Sequence, residues 1–382
     1  MNARAYVGAD IFDGDGWITG CALVVDDGLV AEIAPTGSMA EGVEIVELGG
    51  GFLAPGFVDL QVNGGGGLMF NDRRDVETIR TICAAHAPFG TTALLVTLIT
   101  DTPEITAEAI AAGVEAAGEN VPGFLGLHLE GPHLSVERKG AHDPQLIRPM
   151  QGGDLEHLIA ARAGLPVLLS TIAPESVSTQ QVAGLAGAGL VVSLGHSDAT
   201  YSTARAYADA GATVVTHLFN AMSQMGNREP GLVGEALDDG RLYAGLIADG
   251  IHVDAASIGV ALRSKREPGR IFLVTDAMAT IGTDMTSFTL NGRTIHRKDG
   301  RLTLGDGTLA GADLDMISAV RFIHKTVGLE LSEALRMASF YPAQAARVDA
   351  SHGRLTPGYR ADFVHLTPGL DIRGVWIGGL RV

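Results

Sequence analysis

The sequence contains only two cysteines in 382 residues, Cys21 and Cys83, so it can form at most one disulfide. A disulfide-stapled secreted fold is therefore excluded, and free thiols in a reducing compartment are the expected state. No run of about 18 apolar residues occurs, which excludes a membrane-spanning helix. The first residues also lack the apolar segment of a secretory signal. We expect a soluble, cytoplasmic protein.

Basic residues are scarce as well. The chain has 27 Lys and Arg against 44 Asp and Glu, which gives a net charge of −17. An acidic surface repels nucleic acid and anionic lipid, so neither nucleic acid nor a membrane is an expected partner. An anionic substrate would need a local cluster of cations.

The remaining composition is that of a large globular protein. Hydrophobic residues make up 46% and charged residues 19%, which supplies a large core and excludes a disordered chain. The length fits two or three domains of about 150 residues, or one barrel of about 250 residues with a smaller domain. The 51 glycines indicate many tight turns, and no Gly-X-Y repeat is present.

Eight short apolar runs alternate with helical stretches in the middle of the chain. Continuous apolar runs are typical of buried parallel strands, and eight successive βα units predict a closed (β/α)₈ barrel of the TIM type. Helix starts are indicated at Thr102-Pro103-Glu104 and Pro174-Glu175, while the helix between runs six and seven has the weakest pattern. The runs are Phe57–Val62, Thr92–Leu98, Phe124–Leu129, Val167–Ile172, Leu190–Leu194, Thr213–Thr216, Tyr243–Ala248 and Ile271–Thr275.

Both ends of the chain show short β-type runs between turn residues. Residues 1–53 and 354–382 are therefore predicted to form one small β-sandwich domain, with the barrel in residues 54–353. The segment Thr286–Leu304 breaks the βα pattern, because Asn291-Gly292 and Asp299-Gly300 are turn pairs between β-type runs. It predicts a β-hairpin insert around residues 286–304, followed by helices at about 313–327 and 332–347.

Ionisable residues follow several of the predicted barrel strands. Strand three ends at Glu130, strand five at His196, strand six at His217 and strand eight at Asp276, while Asp249 and His252 follow strand seven. The active site of such a barrel lies at the C-terminal ends of its strands, so these side chains should converge. One Glu and two His form a three-ligand set for a catalytic Zn²⁺, and a nearby carboxylate such as Asp276 could move the proton.

Distinctive blocks surround these residues, namely APGFVDLQVNGGGG, LHLEGPHLS, KGAHDP, SLGHSDAT, THLFNAMS, NREPGLVG, ADGIHV and LVTDAM. In this order, and together with the terminal LTPGYRADFVHL, they resemble the N-acetylglucosamine-6-phosphate deacetylases of the amidohydrolase superfamily. The resemblance covers nearly the whole chain. It implies a (β/α)₈ barrel with a small β domain built from both chain ends. It also implies metal-dependent hydrolysis of the acetamide of N-acetyl-D-glucosamine 6-phosphate, in amino-sugar catabolism and cell-wall recycling.

The resemblance also assigns roles by position. Glu130, His196 and His217 would hold one divalent metal per subunit, by default Zn²⁺, with Fe²⁺, Co²⁺ or Mn²⁺ as alternatives. Asp276 would be the general base and then the acid that protonates the leaving amine. A homodimer is implied, because one phosphate contact of the family comes from a neighbouring subunit. Substrate contacts are implied for His142 near the amide, Asn220 and Ala221 on the sugar phosphate, Arg228 and His252 on the phosphate, and the loop Leu309-Ala310-Gly311.

One departure from other amidohydrolases concerns strand one. Its His-x-His motif is replaced by Gln61-Val62-Asn63, and amides are poor Zn²⁺ ligands, so one metal is expected rather than two. Gln61, Asn63 and His128 are expected to support the metal ligands from behind. His133 is expected to be structural or part of the pocket wall.

Other sites are not supported. Gly64–Gly67 is not followed by the Gly-Lys-Ser/Thr of a phosphate-binding loop, and no Gly-x-Ser-x-Gly elbow occurs. Two alternatives stay open: hydrolysis of a different N-acyl or cyclic amide, and a non-catalytic sensor of aminosugar phosphates. The remaining histidines are predicted to be non-catalytic: His86, His157, His296, His324, His352 and His365.

Overall fold

A computed structural model describes residues 3–38 and 42–382. Its centre is a barrel of eight parallel strands that pair in chain order, which confirms the predicted fold. Each strand end lies within one residue of the predicted run. Strands one to eight are Phe57–Val62, Thr91–Ile99, Phe124–Glu130, Val167–Ile172, Val191–Leu194, Val214–Val215, Tyr243–Ile247 and Ile271–Val274.

Burial explains the apolar runs. All nine residues of strand two and all six of strand four are buried, because helices cover the outside of the barrel and side chains fill the inside. Most strand positions are therefore apolar, although strand one also buries Asp59 and Gln61.

Helices surround the barrel, and most begin at a capping side chain. Thr102 accepts a hydrogen bond from the amide of Ile105, with Pro103 in the first turn, as predicted. None of the helices within residues 3–38 and 42–382 has the length and hydropathy to cross a membrane. The α-helices are Val76–His86, Pro103–Gly118, Gly152–Arg162, Thr179–Gly187, Tyr201–Asp209, Gly231–Asp238, Ala255–Ser264, Met316–Arg321, Leu331–Ala338 and Phe340–Ala345. A π-helix spans Phe322–Val327, and 3₁₀ turns span Thr36–Ser38, Ala87–Phe89 and Val136–Arg138.

The helix start predicted at Pro174-Glu175 is wrong. The helix begins at Thr179, behind a capping box formed by Ser178 and Gln181. The Glu175 carboxylate instead accepts hydrogen bonds from the Ser197 hydroxyl at 2.8 Å and the Asp198 amide at 2.7 Å, after strand five. The hydrogen bonds of Glu175 to the segment after strand five therefore hold this residue outside the helix, despite the local helix-start pattern.

Helix Gly231–Asp238 had the weakest pattern for a physical reason. Seven of its eight residues are buried, so it has no polar face and hence no helical periodicity. The two helices predicted near the C-terminus are each interrupted, the first by the π-helix and the second at Ser339, where φ is −129° and ψ is −68°.

Strands from both chain ends form two sheets that share one core. One sheet has the order Leu29–Pro35, Cys21–Asp26, Arg4–Val7, Glu44–Glu47. The other has the order Leu380–Arg381, Ile372–Ile377, Phe363–Leu366, Phe52–Pro55, Asp10–Phe12, Trp17–Ile18. Between them, the rings of Phe363 and Trp376 stack with centroids 4.6 Å apart and Tyr6 meets Phe363 edge-on. Strand Phe52–Pro55 lies across the predicted division at residue 53, and that division stays a prediction.

The insert after strand eight is larger than the predicted hairpin. It is a four-stranded antiparallel sheet of Ser287–Leu290, Arg293–Lys298, Arg301–Thr303 and Leu309–Ala312. The expected turns are present, with left-handed residues at Asn291 and Asp299. The sequence analysis did not predict the fourth strand, because contacts outside its own segment hold it in place. It pairs with the third strand of the insert, and the amide of Ala312 donates to the carbonyl oxygen of Asp276 at 2.9 Å. A further two-stranded ribbon pairs Gly64–Gly65 with Leu68–Met69.

Candidate active site

The C-terminal ends of the barrel strands and the insert surround one pocket of about 250 Å³. Most of the predicted site residues line this pocket, which is the convergence that the strand-end positions indicated. The lining residues are Asn63, Ile99, Glu130, Gly140, Ala141, His142, His196, His217, Asn220, Ala221, Ile247, His252, Asp276, Met278, Leu290, Thr308, Leu309 and Gly311.

Glu130, His196 and His217 meet at the floor of the pocket, and all three are buried. Oε1 of Glu130 lies 3.2 Å from Nε2 of His196 and 3.0 Å from Nε2 of His217, and the two Nε2 atoms are 3.1 Å apart. Nδ1 of His196 bonds the carbonyl oxygen of Arg138 at 2.8 Å, which fixes the proton on Nδ1 and leaves the Nε2 lone pair free. Although burial alone would raise it, the two neighbouring imidazoles hold the pKa of Glu130 well below its usual range.

A buried cluster of one Glu and two His fits a divalent metal ion. Bonds of about 2.0 Å in a tetrahedral site place neighbouring ligand atoms about 3.3 Å apart, close to the separations observed here. The two histidines follow their strands with positive φ angles, +48° at His196 and +26° at His217. Such backbone strain persists only where the surrounding structure holds it, and it is common at functional sites.

His142 was predicted only as a substrate contact near the amide, but it lies directly against Glu130 and His196. Its Nε2 is 3.8 Å from Oε2 of Glu130, and its ring packs edge-on against His196 with centroids 4.4 Å apart. By distance it could complete a ligand set with Glu130 and His196. However, its Nδ1 accepts the backbone amide of Thr100 at 3.3 Å, and burial lowers the pKa of His142 to about 3. The neutral ring then carries its proton on Nε2, which suits a hydrogen-bond donor rather than a metal ligand.

Asp276 faces the cluster from strand eight. Its Oδ1 accepts hydrogen bonds from the side-chain amides of Asn63 at 2.7 Å and Gln61 at 3.1 Å, and Gln61 also donates to Glu130 at 3.0 Å. Burial and the neighbouring charge of Glu130 raise the pKa of Asp276 to about 6. Of the two amides that replace His-x-His, Gln61 therefore bridges the carboxylates of Glu130 and Asp276, and Asn63 adds a second donor to Asp276.

His128 occupies the layer beneath the cluster. Its Nε2 lies 2.7 Å from the Thr171 hydroxyl, and its Nδ1 lies 3.3 Å from the Thr97 hydroxyl. Glu130 is oriented by Gln61 rather than by this ring. His133 is farther away and bonds the carbonyl oxygen of Arg148 at 3.0 Å.

The sugar-binding residues predicted from the resemblance are only partly brought together. Asn220, Ala221 and His252 line the pocket, and Nδ1 of His252 lies 2.6 Å from a carboxylate oxygen of Asp249. Leu309 and Gly311 also line it, whereas Ala310 is fully buried in the core of the insert. Alternation along a strand explains the difference, because neighbouring side chains point to opposite faces.

Arg228 is not brought to the pocket of its own chain. It lies on an exposed loop after strand six and is not among the lining residues. It also does not pair with its neighbour Glu229, whose carboxylate accepts the backbone amides of Tyr201 at 2.7 Å and Gly231 at 3.0 Å. Arg228 is thus available to contact something outside this chain.

The sequence analysis missed several residues that line the pocket or hold a lining residue in place. Thr100, which orients His142, immediately follows strand two, so the rule applied to the other strand ends would have found it. Thr308, Met278 and Leu290 carry no such signal, since the insert brings them in by tertiary packing. The histidines predicted to be non-catalytic do not line the pocket: His86, His157, His296, His324, His352 and His365.

Comparison with known proteins gives consistent matches. Residues 52–382 match the model of the amidohydrolase family. The chain is 42% identical over 361 residues to the N-acetylgalactosamine-6-phosphate deacetylase of Shewanella sp. (strain ANA-3), covering 94% of this chain and 91% of that protein. It is 35% identical over 361 residues to the N-acetylglucosamine-6-phosphate deacetylase of Haemophilus influenzae, covering 94% and 93%. The crystal structure of N-acetylglucosamine-6-phosphate deacetylase from Pasteurella multocida superimposes with a TM-score of 0.96 at 36% identity, covering 100% of this chain and 99% of that one.

Proposed function

The chain belongs to the amidohydrolase family, and we propose that it hydrolyses the acetamide of N-acetyl-D-glucosamine 6-phosphate to D-glucosamine 6-phosphate and acetate. The observation that carries this proposal is the buried Glu130, His196 and His217 cluster, with Asp276 facing it across the pocket. Relatives over nearly the full chain bear the name of this activity.

Glu130, His196 and His217 are the proposed ligands of one divalent metal ion. Zn²⁺ is the proposed metal, because a Glu and two imidazoles form a typical catalytic zinc set, and Fe²⁺, Co²⁺ and Mn²⁺ are the alternatives for the same ligands. When bound, such an ion supplies Lewis-acid polarisation of the amide oxygen and lowers the pKa of a water molecule.

The protein's own residues supply the proton transfers. Asp276 takes a proton from the attacking water as the water oxygen bonds to the carbonyl carbon, and returns it to the amide nitrogen as the C–N bond breaks. Asn63 and Gln61 hold the Asp276 carboxylate in place through their amide groups. The Nε2 proton of His142 is the proposed donor to the reacting amide group.

The phosphate group of the substrate is an anion, so an acidic protein needs local cations to bind it. His252, Asn220 and Ala221 line the pocket together with Leu309 and Gly311. Arg228 lies outside the pocket of its own chain, so we propose that Arg228 of the partner subunit completes the phosphate site in a homodimer. Its planar guanidinium can bind two phosphate oxygens at once. The cytoplasm is the proposed location, since a charged sugar phosphate does not cross lipid unaided.

A second candidate substrate is N-acetyl-D-galactosamine 6-phosphate. The relative that is 42% identical bears the name of that activity. The two substrates differ only in the configuration at one hydroxyl-bearing carbon, so the chemistry at Glu130, His196, His217 and Asp276 would be the same for both.

Acetate release from metal-loaded protein tests these proposals. The substrates are the two 6-phosphates and unphosphorylated N-acetylglucosamine. Faster turnover of N-acetylglucosamine 6-phosphate than of the other two substrates supports the proposal. Faster turnover of N-acetylgalactosamine 6-phosphate than of the other two favours the second candidate. Saturable binding without acetate release would indicate a sensor, and absence of both would point to a different N-acyl or cyclic amide.

Two variants test the assigned roles. Asp276→Asn should abolish turnover while metal content stays at the wild-type level, because only proton transfer is removed. Arg228→Ala should raise KM for the phosphorylated substrate alone. Arg263→Ala, at an exposed position on helix Ala255–Ser264, is the matched control and should leave KM unchanged. An Arg228→Ala variant with wild-type KM would remove this residue from the phosphate site.

A further inference from the structure

Asp59 is a buried carboxylate that the proposed reaction does not use. It lies on strand one, two residues before Gln61, and is fully buried. Three donors point at it. Its Oδ2 accepts the Thr275 hydroxyl at 2.5 Å, and its Oδ1 accepts the backbone amides of Thr275 and Gln61, each at 3.2 Å. A fully buried carboxylate is costly unless paired in this way, so its presence requires a reason.

The position of Asp59 coincides with the seam of the barrel. Each neighbouring pair from strand one to strand eight is joined by a ladder, whereas strand one meets the end of strand eight through an isolated bridge between Val62 and Ala277 and a few backbone hydrogen bonds around it. Near this bridge, the Asp276 amide donates to the Gln61 carbonyl at 3.0 Å. Deeper in the barrel, the amide of Thr275 donates to the Asp59 side chain where a ladder partner is missing. The carboxylate therefore adds a side-chain link to the backbone hydrogen bonds that close the barrel at this seam.

The proposed proton-transfer residue, Asp276, and its partner Gln61 lie at this seam. Thr275 directly precedes Asp276, whose φ is +51°, a left-handed conformation that is unfavourable for a residue other than glycine. The Thr275 hydroxyl donates to Asp59 and also accepts the amide of Ala277 at 3.3 Å. One hydroxyl thus ties together the residues on both sides of Asp276. Gln61, whose backbone Asp59 also binds, holds Asp276 and Glu130 through its side chain.

We propose that Asp59 is a positioning residue for the deacetylation: through Thr275 and Gln61, it holds Asp276 at its place opposite the Glu130 cluster. This inference rests on the proposed function for its kinetic readout. Asp59 acts at a distance and touches neither the substrate nor the cluster. A regular ladder bond could close the barrel without a buried acid, so the carboxylate serves the geometry of the strand-eight end.

Thr275→Val is the principal test, because it removes the hydroxyl while keeping the size of the side chain. Thr275→Ser restores the hydroxyl. The matched control is Thr91→Val on strand two, where the hydroxyl is buried and has no hydrogen-bond partner among the residues that the structure covers. Asp59→Asn is a further variant, since the amide keeps one acceptor oxygen but cannot accept all three donors.

Thr275→Val should lower kcat about 10- to 100-fold, the usual effect of removing a group that orients a reacting residue, with KM changed by less than about twofold. Thr275→Ser should recover most of that loss. Metal content should equal that of the wild type in every variant. A crystal structure of Thr275→Val should show the Asp276 carboxylate displaced.

Other outcomes would overturn the proposal. If Thr275→Val keeps wild-type kcat, or if Thr91→Val loses as much activity, Asp59 has only a structural role. Loss of metal from Thr275→Val would mean that the seam supports the cluster instead of Asp276. If the wild type releases no acetate, the proposed function fails, and the crystal structure of Thr275→Val decides the positioning role by itself: an undisplaced Asp276 refutes it.

Discussion

Lowering the pH from 8 to 5 should destabilise this protein through His86, and His86→Gln should remove that part of the loss. The ring of His86 is fully buried behind the ribbon that follows strand one. Its Nε2 donates to the carbonyl oxygen of Gly64 at 2.9 Å, whereas its Nδ1 has no partner among the residues that the structure describes. A second proton on Nδ1 would therefore be buried without an acceptor.

The magnitude follows from the shift in pKa. Burial lowers the pKa of His86 from 6.5 to about 4. The folded state binds this proton more weakly than the unfolded state does. The contribution of His86 to the free energy of unfolding is therefore fully present above pH 6.5 and is lost as the pH falls towards 4. Between pH 8 and pH 5 the unfolded state gains about 2 kcal/mol from this group, and about 3 kcal/mol by pH 4.

Urea unfolding of wild type and His86→Gln at the two pH values measures this difference. The Gln amide can still donate to Gly64 but does not titrate, so the variant should lose about 2 kcal/mol less than the wild type between pH 8 and pH 5. Other buried histidines titrate in both proteins and cancel in the comparison. His296→Gln, at an exposed position on the insert, is the matched control and should behave as the wild type.

An identical pH dependence in wild type and His86→Gln would refute the reasoning. It would mean that the folded protein accommodates the charged ring, for instance by opening the ribbon at Gly64–Gly65. In that case, a separate measurement of amide hydrogen exchange should show faster exchange around Gly64 at pH 5 than at pH 8.

Three further predictions concern the active site. Gln61→Leu should lower kcat about 10- to 100-fold, because hydrogen bonds to the carboxylates of Glu130 and Asp276 are lost, each worth about 1.5–3 kcal/mol; an unchanged kcat would contradict this. Gly311→Ala should lower both Tm and kcat, since φ is +66° and a Cβ atom would lie 2.6 Å from Cγ of Met278 and 2.9 Å from the carbonyl oxygen of Asp276. Equal Tm and kcat in Gly311→Ala and wild type would show that the insert yields easily. Removal of metal by a chelator should abolish acetate release and lower Tm, and Zn²⁺ should restore both; full activity in metal-free protein would exclude the proposed ligand set.

The barrel could be predicted from sequence because its strands are buried on both sides. Each strand therefore reads as a mainly apolar run, and a carboxylate directly follows Phe124–Leu129 and Ile271–Thr275. Since parallel strands end at the same rim, Glu130 and Asp276 could be placed together without any structure.

Other features were out of reach of local patterns. The fourth strand of the insert, Leu309–Ala312, is short and contains glycine, and it is a strand because it pairs with Arg301–Thr303 and bonds to Asp276. Ala310 shares a motif with Leu309 and Gly311, but the pleat turns it into the core of the insert. The start of the fourth barrel helix was misplaced because Glu175 bonds across to strand five.

The barrel, the order of its strands and the set of ionisable groups at its rim follow from burial and strand periodicity, which are local properties of the chain. Which of these groups meet depends on the tertiary structure. It placed His142 against Glu130 through Thr100, kept Arg228 out of its own pocket, and brought Asp59 under Asp276 at the seam. The bonds in question join residues such as Asp59 and Thr275, 216 positions apart. Contacts over such distances depend on the folded path of the chain, which no local pattern encodes.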